Sequence, residues 1–258
     1  VQASAARRGG YHAAMSFVLA RSRPIRRTAR RRAAFAPALL VAALSALASP
    51  LHAQSSTGAA PPALGFFVTS VGKGLGADLG GLEGADSHCQ MLATAAGAGR
   101  RVWRAYLSAQ ASAAGPAVHA RDRIGAGPWH NAQGVLIARN VDELHAPEVP
   151  INRLTALTEK GRPVPGQLDA VNHHDILTGS DAQGRALPGP DDSSCGNWTK
   201  GAPGSDGGAA IVGHHDRMGA VDGPSVRSWN AAHHSRGCTP EALASTGGAG
   251  LFYCFAAR

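Results

Sequence analysis

The apolar positions of the chain change period several times, and each change marks an element. Residues 66–71 form a run of aromatic and β-branched side chains closed by a glycine-rich stretch, the pattern of a strand followed by a loop. Leu82, Ala85, Cys89, Leu92 and Ala96 then recur at alternating spacings of three and four. That spacing predicts an amphipathic helix, stopped by Gly97 and Gly99, with Cys89 on its buried face. Trp103, Ala105 and Leu107 alternate with Val102, Arg104 and Tyr106, which predicts a strand over 102–108. From about 110 to 235 the chain is dominated by Pro, Gly, Asn, Asp and His, and its apolar runs shrink to 134–138, 176–177, 196–199 and 211–212. A short helix is expected near 141–145. The chain closes on Leu251, Phe252, Tyr253, Cys254 and Phe255, apolar on both faces as a central buried strand would be.

This pattern divides the labour. The two ends supply a scaffold, and the long middle supplies a surface of short pieces, which is how functional loop regions are usually carried. No repeat of solenoid or propeller period is visible.

Charge changes the picture at the amino-terminal side. Nine of the 25 basic residues lie in the first 53 positions, where there is no acid, so the remaining 205 residues carry 16 bases against 17 acids. The formal charge of +8 therefore gives no reason to expect a nucleic-acid or anionic-membrane partner for the rest of the chain. Residues 21–32 form a basic region, 33–48 an apolar one, and Leu51, His52 and Ala53 end on a small residue, the layout of a secretory signal peptide. The expected organisation is a leader over 1–53 cleaved near Ala53, a flexible spacer over 54–64 and one domain over 65–258, in the periplasm or outside the cell. No run is long and apolar enough to predict an integral membrane contact.

Cys89, Cys195, Cys238 and Cys254 are widely spaced and form no C-x-x-C pair, so two disulfides in an oxidising compartment are expected. Four cysteines allow three pairings, and spacing does not choose among them.

At this point the residues resemble a family. GLEGADSHCQMLATAAG, RVWRAYLSAQ, HDILTGSDAQGRAL, SSCGNWT and the closing CTPEALASTGGAGLFYCFA resemble the endostatin domain of collagens XV and XVIII and the bacterial secreted lectins, both of the C-type-lectin-like fold. The resemblance covers about 65–257. It implies an α+β domain, mostly antiparallel sheet with one main helix, with Cys89 paired to Cys254 and Cys195 to Cys238, terminal strands side by side and a long excursion between them. It also implies a carbohydrate or cell-surface-polymer ligand. The calcium-chelating EPN or QPD and WND tripeptides of sugar-binding members do not occur, the nearest being Ser228, Trp229 and Asn230 followed by Ala231. The amino-terminal histidines that hold zinc in endostatin have no counterpart in 54–70.

The candidate chemistry lies in the middle region. Six histidines form three adjacent pairs, at 173–174, 214–215 and 233–234, and Asp175 and Asp216 follow two of them. Imidazole and carboxylate suit zinc or another transition metal, and neighbouring side chains on a strand point to opposite faces, so one histidine per pair is expected at any one site. The metal candidates are His174, His215, Asp216 and His234. The competing reading leaves one histidine of each pair half-buried against its aspartate and the other solvated. Trp198, near Cys195, is expected to pack on a disulfide, and Trp129 to sit in a turn. Trp229 beside Asn230 is expected as an exposed platform for a sugar ring. The ligand-binding set is thus His174, Asp175, His215, Asp216, Trp229 and Asn230. Asp191, Asp192, Asp206 and Asp222 offer loop carboxylates for calcium, although no EF-hand spacing is present. No Gly-x-Ser-x-Gly, H-E-x-x-H, P-loop or dinucleotide motif occurs, and no enzymatic activity or obligatory cofactor is expected. The function expected from sequence is a secreted recognition module, and the alternative is a metal-binding protein or metal-dependent hydrolase built on the paired histidines.

Overall fold

The structure is a computed structural model that describes residues 61–204, 207–219 and 221–257. The leader expected over 1–53, and spacer residues 54–60, lie outside the described residues. In chain order the elements are β1 (Phe66–Val68), α1 (Gly81–Ala95), β2 (Trp103–Ala105), α2 (Ala120–Arg123), β3 (Trp129–His130), β4 (Leu136–Ala138) and α3 (Val141–Leu144). There follow β5 (Asp175–Leu177), the helical turn α4 (Cys195–Trp198), β6 (Ile211–His214), β7 (His233–His234), α5 (Pro240–Ala244) and β8 (Gly248–Ala256).

The last strand organises the rest. β1 and β2 both pair antiparallel with β8, and β5 pairs parallel with it, so the two ends of the described chain lie side by side. β6 then pairs antiparallel with β5, and β7 with β6, completing a six-stranded sheet. Alternation along β1 and β8 sorts side chains to two cores. Phe67, Phe252 and Cys254 join α1 residues Cys89 and Leu92, together with Trp103 and Trp198, on one face. Phe66, Val68, Tyr253 and Phe255 join Trp129, Ile176 and Trp229 on the other. This is why the closing run is apolar at every position: both faces of β8 are covered.

The helix predicted from the three-four spacing is α1, with Cys89 buried as expected. The helix expected near 141–145 is α3, whose Asn140 side chain accepts from the Glu143 N–H at 2.9 Å. Two strands are shorter than their patterns. After β1, the Thr69 N–H still donates to Phe252 O, but its hydroxyl oxygen accepts the Phe252 N–H in return, and the Ser70 N–H and hydroxyl both turn to Glu159, which ends the ladder. After β2, Tyr106 still donates its N–H to Tyr253 O, but the next N–H, that of Leu107, turns back on Ala105 O. The turn expected around Trp129 is instead strand β3, with the indole N–H donating to Ala256 O at 3.1 Å inside the core. Its ring sits against Phe255, and that burial outweighs the Gly-Pro and Asn-Ala-Gln-Gly signals on either side.

Cys89 pairs with Cys254 and Cys195 with Cys238. The first ties α1 to β8. The second closes a loop with a sequence separation of 43 that contains β6 and β7, and Trp198 packs in the same core cluster as both of its cysteines. In the chain-entropy model such a loop contributes about 4 kcal/mol, and the outer one about 5. Replacing Cys195 and Cys238 together by alanine is expected to lower the unfolding free energy by about 4 kcal/mol, and urea denaturation checks it. An unchanged midpoint would show that the middle region does not depend on this closure.

Candidate metal centre

β5, β6 and β7 bring one histidine from each pair to a single carboxylate. Asp175 opens β5 directly opposite His214, which ends β6, so the two side chains share a face of the sheet. His233 opens β7 opposite Val212, two residues from His214 and therefore on that same face. His174 lies just before β5, where strict alternation no longer holds. Its N–H donates to the Asn172 side chain at 3.1 Å, and its ring stacks on His214 with centroids 4.2 Å apart.

Asp175 Oδ1 is the atom on which the three imidazoles converge. Asp175 Oδ1 lies 3.2 Å from His174 Nε2, 3.2 Å from His214 Nε2 and 3.5 Å from His233 Nε2. His214 Nε2 and His233 Nε2 are 3.0 Å apart. The other ring nitrogens face fixed acceptors: His214 Nδ1 lies 2.8 Å from the Val226 carbonyl and His233 Nδ1 2.9 Å from the His234 carbonyl. A carbonyl only accepts, so both Nδ1 atoms carry the proton, and in the neutral rings both Nε2 atoms present lone pairs to each other. His174 Nδ1 sits 3.4 Å from Asp216 Oδ1, and its Nε2 also lies 3.3 Å from the Thr246 carbonyl.

Asp175 is only 1% exposed, and neither of its carboxylate oxygens has an aligned hydrogen bond among the described residues. His174 Nδ1 is likewise buried without one. Burial pushes the Asp175 carboxyl up, but His214 and His233 outweigh it and hold it at about 2. Burial pulls His174 down, and Asp216 with Asp175 more than reverses that, so its imidazole is raised. His233 is raised by Asp175 against a smaller effect of burial. The cluster is anionic at its centre and ringed by imidazoles. Protons on the imidazoles or one metal cation among them would balance the carboxylate.

The sequence candidates are partly redistributed. His174 and Asp175 are at the centre, and each pair contributes one histidine as strand alternation requires. The members differ from those expected: His214 takes the place of His215, and His233 that of His234. His215 follows the end of β6 and turns the other way, fully buried with Nε2 3.1 Å from Pro165 O. Burial lowers its pKa. His234 faces the opposite side of β7, 3.2 Å from the Ser193 hydroxyl. Asp216 stands behind His174 and accepts from the Gln167 and Met218 N–H groups, and these contacts with His174 hold its carboxyl low against the push of burial. It orients a candidate ligand rather than being one.

Trp229 is not the exposed platform expected. It is 4% exposed and packed against Tyr106 and Tyr253, with centroids at 4.8 and 5.2 Å. Its backbone passes so close over β6 that a Cβ on Gly213 would collide with the Trp229 carbonyl. Asn230 is also buried, donating to the Tyr106 hydroxyl and to the Asp181 carbonyl. Among the described calcium candidates, Asp192 is taken up by Lys200 and by the Ser194 and Gly196 N–H groups, and Asp222 pairs with Arg227. Asp206 lies outside the described residues.

No known protein-family model matches the chain, and no curated protein matches it in sequence. Among the described residues no helix is long and apolar enough to cross a membrane.

Because Trp229 is a core residue, Trp229→Ala is expected to cost about 3–5 kcal/mol of stability in chemical denaturation. A loss under 1 kcal/mol would restore it to the surface.

Proposed function

We propose that this domain binds one transition-metal ion, zinc by the chemistry of its donors, through His174, His214, His233 and Asp175, and that the metal staples β5, β6 and β7. The observation that carries this reading is the approach of His214 Nε2 to His233 Nε2 at 3.0 Å beside a buried carboxylate, with both Nδ1 atoms turned to carbonyl oxygens. Two acceptors at that separation repel unless a proton or a cation lies between them. Tetrahedral zinc with ligand bonds of about 2.0–2.1 Å has its ligand atoms about 3.3–3.4 Å apart. Four of the six edges, the three from Asp175 Oδ1 and the one between His214 and His233, span 3.0 to 3.5 Å and bracket that length; His174, Asp175 and His214 already lie close enough together to hold an ion, and His233 joins them through Asp175 and His214. Carbonyl groups behind His214 and His233 and a carboxylate behind His174 form the outer layer that metal-binding imidazoles normally have. Calcium is disfavoured, since it takes six to eight oxygens.

With His233 drawn in beside His174, Asp175 and His214, four protein ligands would complete a tetrahedron and leave no open position for a substrate water, so the site is read as structural and the protein as non-enzymatic. Two disulfides agree with an oxidising, extracytoplasmic location, and the leader pattern points the same way. The paired terminal strands, the nested disulfides and the long excursion support a C-type-lectin-like, endostatin-like architecture and a role as a secreted recognition module. Its partners would be glycans or other polar polymers of a cell surface.

Purified protein dialysed against metal-free buffer is expected to retain one zinc per chain by elemental analysis. His214→Ala and Asp175→Ala abolish retention, whereas His173→Ala and His234→Ala preserve it. Chelation is expected to lower the melting temperature by on the order of 10 °C when zinc is at about 1,000 times its Kd. Metal-free protein that melts identically with and without added zinc would refute the proposal.

A further inference from the structure

A second site lies on the opposite core, at a cleft of about 470 Å³ whose lining includes His145, Pro147, Gln183, Arg217, Ser228 and Asn230. This is within the size range of small-molecule sites. Arg217 is the unusual member. It follows the β6 turn in the left-handed region, with φ at 56°, a conformation that costs a non-glycine residue energy and recurs where a side chain must be aimed. Its Nε donates to Ile151 O at 2.6 Å and its Nη2 to Val149 O at 2.7 Å, which fixes the guanidinium plane. Nη1 reaches only two carbonyls, those of Pro147 and Arg227, both at 3.4 Å and both from cleft residues. No carboxylate is in ion-pair contact with Arg217 among the described residues, and the groups that support its charge from a distance are Tyr253 and Glu148. Burial accordingly depresses its basicity. A half-buried cation held rigidly and left without a counter-ion is a place for an anion.

We infer that this cleft binds the carboxylate of a small polyhydroxylated acid, with Arg217 as its counter-ion. The charge count favours a monoanion over phosphate: Arg227, also on the rim, is already neutralised by Asp222 at 2.6 Å. The rest of the lining suits hydroxyl groups. Gln183 offers an amide, and Ser228 a hydroxyl that donates to Asn230 Oδ1 and accepts from the Ala231 N–H. Asn230 Nδ2 and His145 both meet the Tyr106 hydroxyl, which ties the back wall into one network. The site stands whether or not the histidine cluster holds a metal.

Titration of the full protein with galacturonate, followed by amide chemical shifts, tests it. Galacturonate is expected to saturate one site with Kd near 1 mM, shifting residues 145–147, 182–183, 217 and 227–230. Galactose, which lacks the carboxylate, is expected to bind at least about tenfold more weakly. Ala182 is exposed on the rim, and Ala182→Glu is expected to weaken galacturonate binding about tenfold or more with an unchanged melting temperature and zinc content. Arg217→Gln is expected to abolish it, with melting recorded to separate lost binding from lost folding. Equal binding of galactose and galacturonate, sulfate binding as tightly as galacturonate, shifts scattered elsewhere, indifference to Ala182→Glu, or no binding would each overturn the inference. None of these outcomes touches zinc retention, so the two proposals fail separately.

Discussion

A carboxylate withdrawn from water at the start of an inner strand constrains everything around it. Asp175 sits at the first position of β5 with both oxygens buried, and an isolated carboxylate there would cost several kcal/mol or take up a proton. The fold answers with three imidazoles drawn from three separate segments. Each segment must arrive in register for this to work: β6 antiparallel to β5 so that His214 faces Asp175, and β7 against β6 so that His233 reaches the same face. A slip of one residue in either pairing would present His215 or His234, or none. The cluster thus specifies register in a region of short strands with little apolar area of its own.

The scaffold that makes this possible is built elsewhere. β8 holds β1, β2 and β5, is covered on both faces, and is bonded to α1 through Cys89 and Cys254. From that base the chain between β2 and β5 runs through short elements to return at β5. The loop after β6 carries Arg217, Val226 and Trp229 before β7. One stretch therefore supplies the Val226 carbonyl that orients His214 and one wall of the Arg217 cleft.

Much of the scaffold was legible in the sequence because its signals are local. The three-four spacing of Leu82 to Ala96 and the double-faced apolar run at 251–255 each had one physical solution, and α1 and β8 are those solutions. The histidine pairs carried half of what was needed. Alternation states that one member of each pair faces a given side, and it does not state which, because that depends on pairing between strands far apart in sequence. His214 and His233 could be chosen only once β5, β6 and β7 were in register. Trp229 was misjudged for a related reason: polar neighbours such as Asn230 suggested a surface, but Asn230 is itself buried and satisfied by Tyr106 and the Asp181 carbonyl. Arg217 gave no signal at all, since both its backbone conformation and its lack of a carboxylate partner among the described residues arise from the tertiary fold.

The central claim is a statement about coordination, and X-ray absorption at the zinc edge of the zinc-loaded protein addresses it most directly. The account predicts four nitrogen or oxygen neighbours at about 2.0–2.1 Å, with outer-shell scattering from three imidazoles. Six-fold coordination, or a spectrum with one imidazole or none, would contradict it.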